Sequence, residues 1–146
     1  KEVSSLPAVT MSTGIVDALR AVGARHIAAA TAYNSEVNAR LKTFLEESGF
    51  DVVSVEGLGI EKVEDVEAVT QPQLVDFGAR VFAAAEGADA ILVSCGGLRT
   101  LGVLAPLEER CEAPVVSSTP HALWAGARLL GLTGRAPGFG SLLSKG

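Results

Sequence analysis

The chain has 146 residues, of which 48% are hydrophobic and 20% are charged, and its formal net charge at pH 7 is −5. This length fits one domain of ordinary size, and the apolar content excludes a disordered chain. An acidic balance with no basic block argues against nucleic acid or an anionic membrane surface as the main partner, and no apolar run approaches the ~20 residues that span a bilayer.

The two cysteines, Cys95 and Cys111, form neither a disulfide framework nor the spacing of a zinc site. The sequence does not open on a charged and apolar leader with a small-residue cleavage site, so export is not indicated. These features predict a cytoplasmic protein in a reducing environment.

Strand and helix patterns alternate from the start of the chain. Residues 7–10 read as a short strand, and a helix is predicted over residues 13–22 with Ser12 as its N-cap. The apolar run at residues 26–30 predicts the second strand. Strand, helix and strand in this order are typical of an α/β protein.

The middle of the chain continues the alternation. A helix from Ser35, its predicted N-cap, to Ser48 precedes a strand at residues 51–55. An acidic loop follows. Thr70 and Gln73 then have the spacing of a capping box, which predicts the start of the next helix.

The last third supplies two more strands. Residues 90–94 and 115–117 are apolar runs, and a short helix is predicted between them near residues 106–110. A final helix is predicted over residues 120–130. The tail at residues 131–146 is rich in glycine and shows no periodicity.

Strands separated by helices need crossover connections, and crossovers join parallel strands. The predicted fold is therefore α/β, with a mainly parallel sheet of four to five strands and helices on both faces.

Cys95 is the most informative residue, because it directly follows the buried strand at residues 90–94 and precedes Gly96 and Gly97. The carboxyl ends of strands are where open α/β sheets bind ligands. The glycines permit close backbone approach and leave N–H groups free for an anion. A second interpretation is equally open: free cysteine is also a common core residue.

Hydroxyl and N–H groups follow the other strands too, and they suit a carboxylate or a phosphate, although each serine or threonine there is also a candidate helix cap. Tyr33, the only tyrosine, follows the strand at residues 26–30. It is a candidate donor to an anionic ligand or a half-buried aromatic residue.

Several chemistries find no support in the sequence. His26 begins a strand away from the ligand side, and His121 falls in a capping turn, so neither predicts a catalytic dyad or a metal site. Cys111 ends a short polar helix and is interpreted as structural. The glycine pattern is neither a Walker A loop nor Gly-x-Gly-x-x-Gly, so nucleotide binding is not predicted.

Segments spread over nearly the whole chain resemble the aspartate/glutamate racemase superfamily, and most of all its arylmalonate decarboxylase branch. In chain order the matching segments are Thr10-Met11-Ser12-Thr13, Ala30-Thr31-Ala32-Tyr33 with Val37-Asn38, Leu58-Gly59-Ile60, Ser94-Cys95-Gly96-Gly97-Leu98, Val115-Val116-Ser117-Ser118 and Pro137-Gly138-Phe139-Gly140. Ser-Cys-Gly-Gly alone would be a weak signal, whereas the collinear set is a strong one.

The resemblance implies two similar α/β lobes with the active site in the cleft between them. It assigns residues 1–118 to the second lobe and residues 119–146 to a terminal helix and tail that pack on the first lobe. The chain begins at Lys1 without a methionine. We therefore expect an amino-terminal lobe, or another subunit, to complete the site.

The resemblance also assigns roles. Cys95 is the expected proton donor, Tyr33 and the Gly96 N–H bind the carboxylate or enediolate, and Val63 and Val66 form an apolar pocket beside the substrate. From the residues themselves, the two valines are only apolar positions in an acidic segment. Packing of that segment onto the sheet would explain them equally well.

From this resemblance, the predicted function is decarboxylation of an arylmalonate-type dicarboxylate. The expected partner is therefore a small-molecule carboxylate substrate, and no metal or organic cofactor is expected. An enediolate would form and take a proton from the Cys95 thiol. The alternatives are a racemase or cis-trans isomerase of the same superfamily, which uses two cysteines, and a non-catalytic carboxylate-binding module. Cys111 is not expected to face Cys95, so the second cysteine would come from the first lobe.

Overall fold

Four parallel strands form a single sheet in the computed structural model, which describes residues 6–146. The strands are β1 (His26–Thr31), β2 (Asp51–Gly57), β3 (Ala90–Ser94) and β4 (Val115–Ser117). Their spatial order is β2-β1-β3-β4, and all three ladders are parallel. The α/β prediction is therefore confirmed, with four strands.

Helices provide the crossovers between these strands. The helices are α1 (Met11–Ala21), α2 (Ser35–Glu47), α3 (Val63–Glu67), α4 (Gln71–Ala84), α5 (Leu104–Cys111), α6 (Ser118–Leu129) and α7 (Ser141–Lys145). A 3-10 turn at Leu101–Val103 precedes α5. Among residues 6–146, no helix has the length and hydropathy of a membrane span.

Both faces of the sheet are covered, as the side-chain alternation of β1 shows. Ala28 and Ala30 pack against Phe77 and Val81 of α4 in one cluster. Ile27, on the opposite face, belongs to the larger core that includes α1, α5 and α6. The residues divide in this way because side chains of successive strand residues point to opposite faces. The small alanine side chains allow the helices to approach the sheet closely.

The strand predicted at residues 7–10 is wrong. These residues are not part of the sheet, and Thr10 caps α1 instead: its side chain accepts the Thr13 N–H, and the Thr13 side chain accepts the Thr10 N–H. This reciprocal capping box also replaces the predicted Ser12 cap. A β-branched residue with extended φ and ψ suits an N-cap as well as a strand.

Other boundaries differ by a residue or two. Asn34, not Ser35, caps α2 by accepting the Val37 N–H, whereas the predicted Thr70–Gln73 capping box of α4 is confirmed. The tail is not wholly irregular, because α7 buries two leucines against the core. Five residues are too few for a helical period to stand out in a sequence.

The final long helix, α6, packs on α1. Gly14 lies so close to it that a Cβ there would come within 2.8 Å of the Ala122 Cα. Trp124 of α6 is buried, but Leu123 and Leu130 are 71% and 72% exposed. That residues 119–146 pack on another lobe stays a prediction.

Candidate active site

The strand register brings the ends of β1, β3 and β4 together. Thr31 pairs with Ser94, and Val93 pairs with Ser117. The residues that follow these strands therefore meet at one edge of the sheet. This edge holds the thiol, the phenol and most of the backbone groups that the sequence singled out.

Cys95 is partly exposed at this edge. It touches the main core on one side, and Gly96 and Gly97 beside it are exposed. The residue is therefore not enclosed by the core, unlike a fully buried structural cysteine.

Tyr33 is held next to Cys95 by its own backbone. Its N–H donates to the Thr31 hydroxyl at 3.1 Å, and its carbonyl accepts the Gly59 N–H at 3.2 Å. The Thr31 hydroxyl in turn donates to Asn38 of α2 at 2.6 Å. These bonds fix the direction in which the half-buried phenol leaves the sheet.

Burial and two neighbouring residues, Ser94 and Cys95, affect the pKa of the Tyr33 phenol. Burial is the largest effect and raises the pKa of Tyr33, a hydrogen bond with Ser94 lowers it, and the nearby Cys95 raises it again through charge and hydrogen bonding. The phenol is therefore a neutral O–H donor at physiological pH. Neutral donors of this kind suit an incoming carboxylate.

Two buried serines extend this arrangement, although neither was predicted to be a site residue. Ser94 Oγ lies 3.5 Å from the Tyr33 phenol oxygen and 3.2 Å from Ser118 Oγ. Ser118 is the first residue of α6. The usable signal was that small hydroxyl residues end two strands and begin the helix behind them.

Gly96 offers a backbone donor. Within residues 6–146 its N–H donates no hydrogen bond, while its carbonyl accepts from the Thr119 hydroxyl at 3.3 Å. The exposed Met11 of α1 lies alongside, since a Cβ on Gly96 would be 3.1 Å from the Met11 methyl carbon. Met11 was quoted in the sequence match but not expected to line the site.

The two valines differ in their surroundings. Val66 is buried and lies against Gly97, where an added Cβ would come 3.2 Å from Val66 Cγ1. Val63, at the start of α3, is 76% exposed. The structure brings Val66, but not Val63, into contact with the glycine pair.

A groove of about 590 Å³ is lined in part by Gly96 and Gly97. Neither Cys95 nor Tyr33 lines it. Its walls are mainly apolar, among them Leu98, Leu101, Leu123, Trp124 and Leu143. A smaller depression of about 390 Å³ adjoins Tyr33 on the α2 side.

Within the described residues, neither histidine forms a hydrogen bond with the Cys95 thiol. His121 is buried in α6, where its Nδ1 accepts the Ser117 N–H at 3.0 Å, and burial lowers its pKa to about 4. His26 pairs with Asp51 at the beginning of β1, the far end of the strand from the thiol. In the described part of the chain no three His, Cys, Asp or Glu side chains are grouped to hold a metal ion.

Comparison with known proteins gives a consistent result. The family model described as arylmalonate decarboxylase matches residues 1–143. The arylmalonate decarboxylase of Bordetella bronchiseptica is 44% identical over 146 residues, which cover 99% of this chain and 61% of that protein. The maleate isomerase of Pseudomonas putida KT2440 is 27% identical, over 94% of this chain and 55% of its own length.

The structure of unliganded arylmalonate decarboxylase superposes with a TM-score of 0.93 at 43% identity, covering 99% of this chain and 64% of that one. The chain thus spans about three fifths of the length of these decarboxylases. The chain belongs to the arylmalonate decarboxylase family.

Proposed function

We propose that this chain supplies the proton donor and part of the carboxylate pocket of an enzyme that decarboxylates arylmalonate-type dicarboxylates without a cofactor. The observation that carries the proposal is the partly exposed Cys95, set beside the Tyr33 phenol and the free Gly96 N–H. A thiol flanked by anion-binding donors is what protonation of an enediolate requires.

The reaction divides into two steps. The bond between the α-carbon and one carboxylate breaks, carbon dioxide leaves, and the electron pair remains as an enediolate on the other carboxylate. The α-carbon then takes the Cys95 proton, and the resulting thiolate is reprotonated from solvent. The proposal requires Cys95 to act as the general acid, so that the proton on its sulfur is the one delivered to the α-carbon.

The enediolate needs fixed dipoles around its oxygens. Tyr33 donates an O–H and Gly96 an N–H, and the first turn of α6 adds the positive end of a helix at Ser118. Such preorganised donors stabilise developing negative charge best when water is excluded. Val66, and Val63 at the rim, would supply apolar contacts to the aryl group.

The edge is open on one side, and we propose that a further lobe or subunit closes it. The leucines left exposed on α6 fit a covered surface. The greater length of the relatives agrees with this arrangement. Two unpaired cysteines favour a reducing compartment such as the cytoplasm.

The test replaces Cys95 by serine in the full open reading frame that encodes this chain. Carbon dioxide release from phenylmalonate should fall by roughly a hundredfold or more, because a serine hydroxyl is a far weaker acid than a thiol. The matched control is Cys111→Ser at the end of α5, which should retain wild-type turnover. Equal activity in both variants would remove Cys95 from the proton-donor role.

A second candidate is a cis-trans isomerase, which the similarity to maleate isomerase supports. Two cysteines would then face each other across the substrate. Cys111 lies instead with Asp76 and Arg110 on the outer side of α4 and α5, so the second thiol would come from outside this chain. Conversion of maleate to fumarate, followed by NMR, with no carbon dioxide from phenylmalonate would select this candidate. Carboxylate binding without any turnover would indicate a binding module.

A further inference from the structure

We propose that the buried hydroxyls of Ser94 and Ser118 form a hydrogen-bonded chain that positions the Tyr33 phenol as a donor to the substrate carboxylate. This role rests on the proposed decarboxylation. Neither serine touches the expected substrate position itself. Both would act through Tyr33 and are therefore positioning residues.

The geometry links three groups from different elements. Ser94 ends β3 and is 3% exposed, and Ser118 begins α6 and is 1% exposed. The Ser118 and Ser94 oxygens are 3.2 Å apart, and Ser94 Oγ lies 3.5 Å from the Tyr33 oxygen. The second distance is long for an O–H···O bond, as catalytic hydrogen bonds often are before a substrate is bound.

The direction of donation follows from the proton count. A phenol has one hydrogen, so Tyr33 can donate to a carboxylate and keep its hydrogen bond with Ser94 only when Ser94 is the donor of that bond. Ser94 must then accept from Ser118. The hydrogen bond with Ser94 lowers the pKa of Tyr33 against the larger effect of burial, which agrees with a serine that donates. Hydrogen bonds in series polarise one another and strengthen the last donor.

A neighbouring hydroxyl pair provides a matched control. Thr100 donates to Ser117 Oγ at 3.0 Å, and these residues are 3% and 0% exposed. Ser117 immediately precedes Ser118, and both hydroxyl pairs are buried. No hydrogen bond within residues 6–146 connects it to Tyr33. Removing a hydroxyl from this pair breaks one buried hydrogen bond, as Ser94→Ala and Ser118→Ala also do. It leaves the proposed chain from Ser118 through Ser94 to Tyr33 intact.

The first measurement is the titration of Tyr33 in protein labelled with ¹³C at the tyrosine ζ-carbon. The Tyr33 signal is assigned by its loss in Tyr33→Phe. Ser94→Ala should move the midpoint to higher pH, Ser118→Ala should move it in the same direction by less, and Ser117→Ala should leave it unchanged. Ser94→Thr, which keeps a hydroxyl, should restore the wild-type midpoint.

The second measurement is turnover of phenylmalonate. Ser94→Ala should lower kcat roughly tenfold, about the effect of weakening one hydrogen bond to a charged group, with a smaller change in KM. If Ser94→Ala does not fold, Ser118→Ala decides the question. A Tyr33 midpoint and a kcat in the Ser94 and Ser118 variants equal to those of Ser117→Ala would overturn the proposal.

The two proposals fail separately. If the wild type releases no carbon dioxide, the proposed function is lost, and with it the positioning role. The titration then still decides whether the hydroxyl chain exists. If the wild type is active and the titration does not respond to either serine, only the hydroxyl chain is excluded.

Discussion

Gly57, the last residue of β2, lies directly against the carbonyl oxygen of Tyr33. An added Cβ on Gly57 would overlap that oxygen and would also meet Asn38 Nδ2 at 2.5 Å. The backbone that aims the phenol thus depends on a neighbour with no side chain. Glycine is the residue that permits such close approach of two backbones.

Gly57→Ala should therefore displace Tyr33 and destabilise the fold by about 1 to 3 kcal/mol, the usual cost of overpacking. Urea unfolding measures the stability, and the ζ-carbon signal of Tyr33 reports the displacement. Gly126→Ala is the control. Gly126 lies inside α6, and an added Cβ would make only an ordinary contact, 3.5 Å from Val9 Cγ1. That variant should be neutral or slightly stabilised. A Gly57→Ala protein with wild-type stability and an unmoved Tyr33 signal would show that the backbone adapts.

Alanine substitutions of Val63 and Val66 should distinguish a role in packing from a role in substrate contact. Val66→Ala removes a buried contact to Gly97 and should cost about 1 to 3 kcal/mol, whereas exposed Val63→Ala should stay within about 0.5 kcal/mol of wild type. If both valines line the aryl pocket, both substitutions should raise the KM for phenylmalonate more than the KM for methylmalonate. Unchanged KM values in Val63→Ala would remove Val63 from the pocket.

His121 predicts a loss of stability in mild acid. Burial lowers its pKa from 6.5 to about 4, so between these values the unfolded chain takes up a proton that the folded chain does not. The contribution is fully present above pH 6.5 and is lost as the pH falls towards 4. By linkage it amounts to the order of 2 to 3 kcal/mol.

The check is urea unfolding across this pH range for wild type and His121→Gln. Glutamine can still accept the Ser117 N–H but cannot be protonated, so the loss attributed to this site should disappear. His26→Gln, at an exposed ion pair, is the control and should retain it. Parallel pH profiles for wild type and His121→Gln would refute the assignment.

Thr70 tests the capping box that starts α4. Its hydroxyl accepts the Gln73 N–H, and the Gln73 side chain accepts the Thr70 N–H at 2.9 Å. Thr70→Ala should lower the free energy of unfolding by about 1 kcal/mol. Thr43→Ala, on the exposed surface of α2, should not destabilise, because alanine is the better helix former. Equal stability of the two variants would mean that the cap is unimportant.

Much of the site could be predicted because strand ends are visible in sequence. Cys95 and Tyr33 each follow an apolar run, and parallel strands bring such residues to one edge. Ser94 and Ser118 could not be assigned a role, because a serine at a strand end reads equally well as a cap. Only their distances to each other and to Tyr33 separate the two roles.

The amino-acid sequence by itself determined the α/β class, the crossover helices and the position of the thiol after a buried strand, since these depend on local apolar periodicity and on glycine. Tertiary structure alone decided that residues 7–10 stay outside the sheet, that Val66 is covered and Val63 is exposed, and that Gly57 supports Tyr33. The reason is physical: strand pairing, burial and close approach each depend on a partner distant in the chain, and local preference cannot identify that partner.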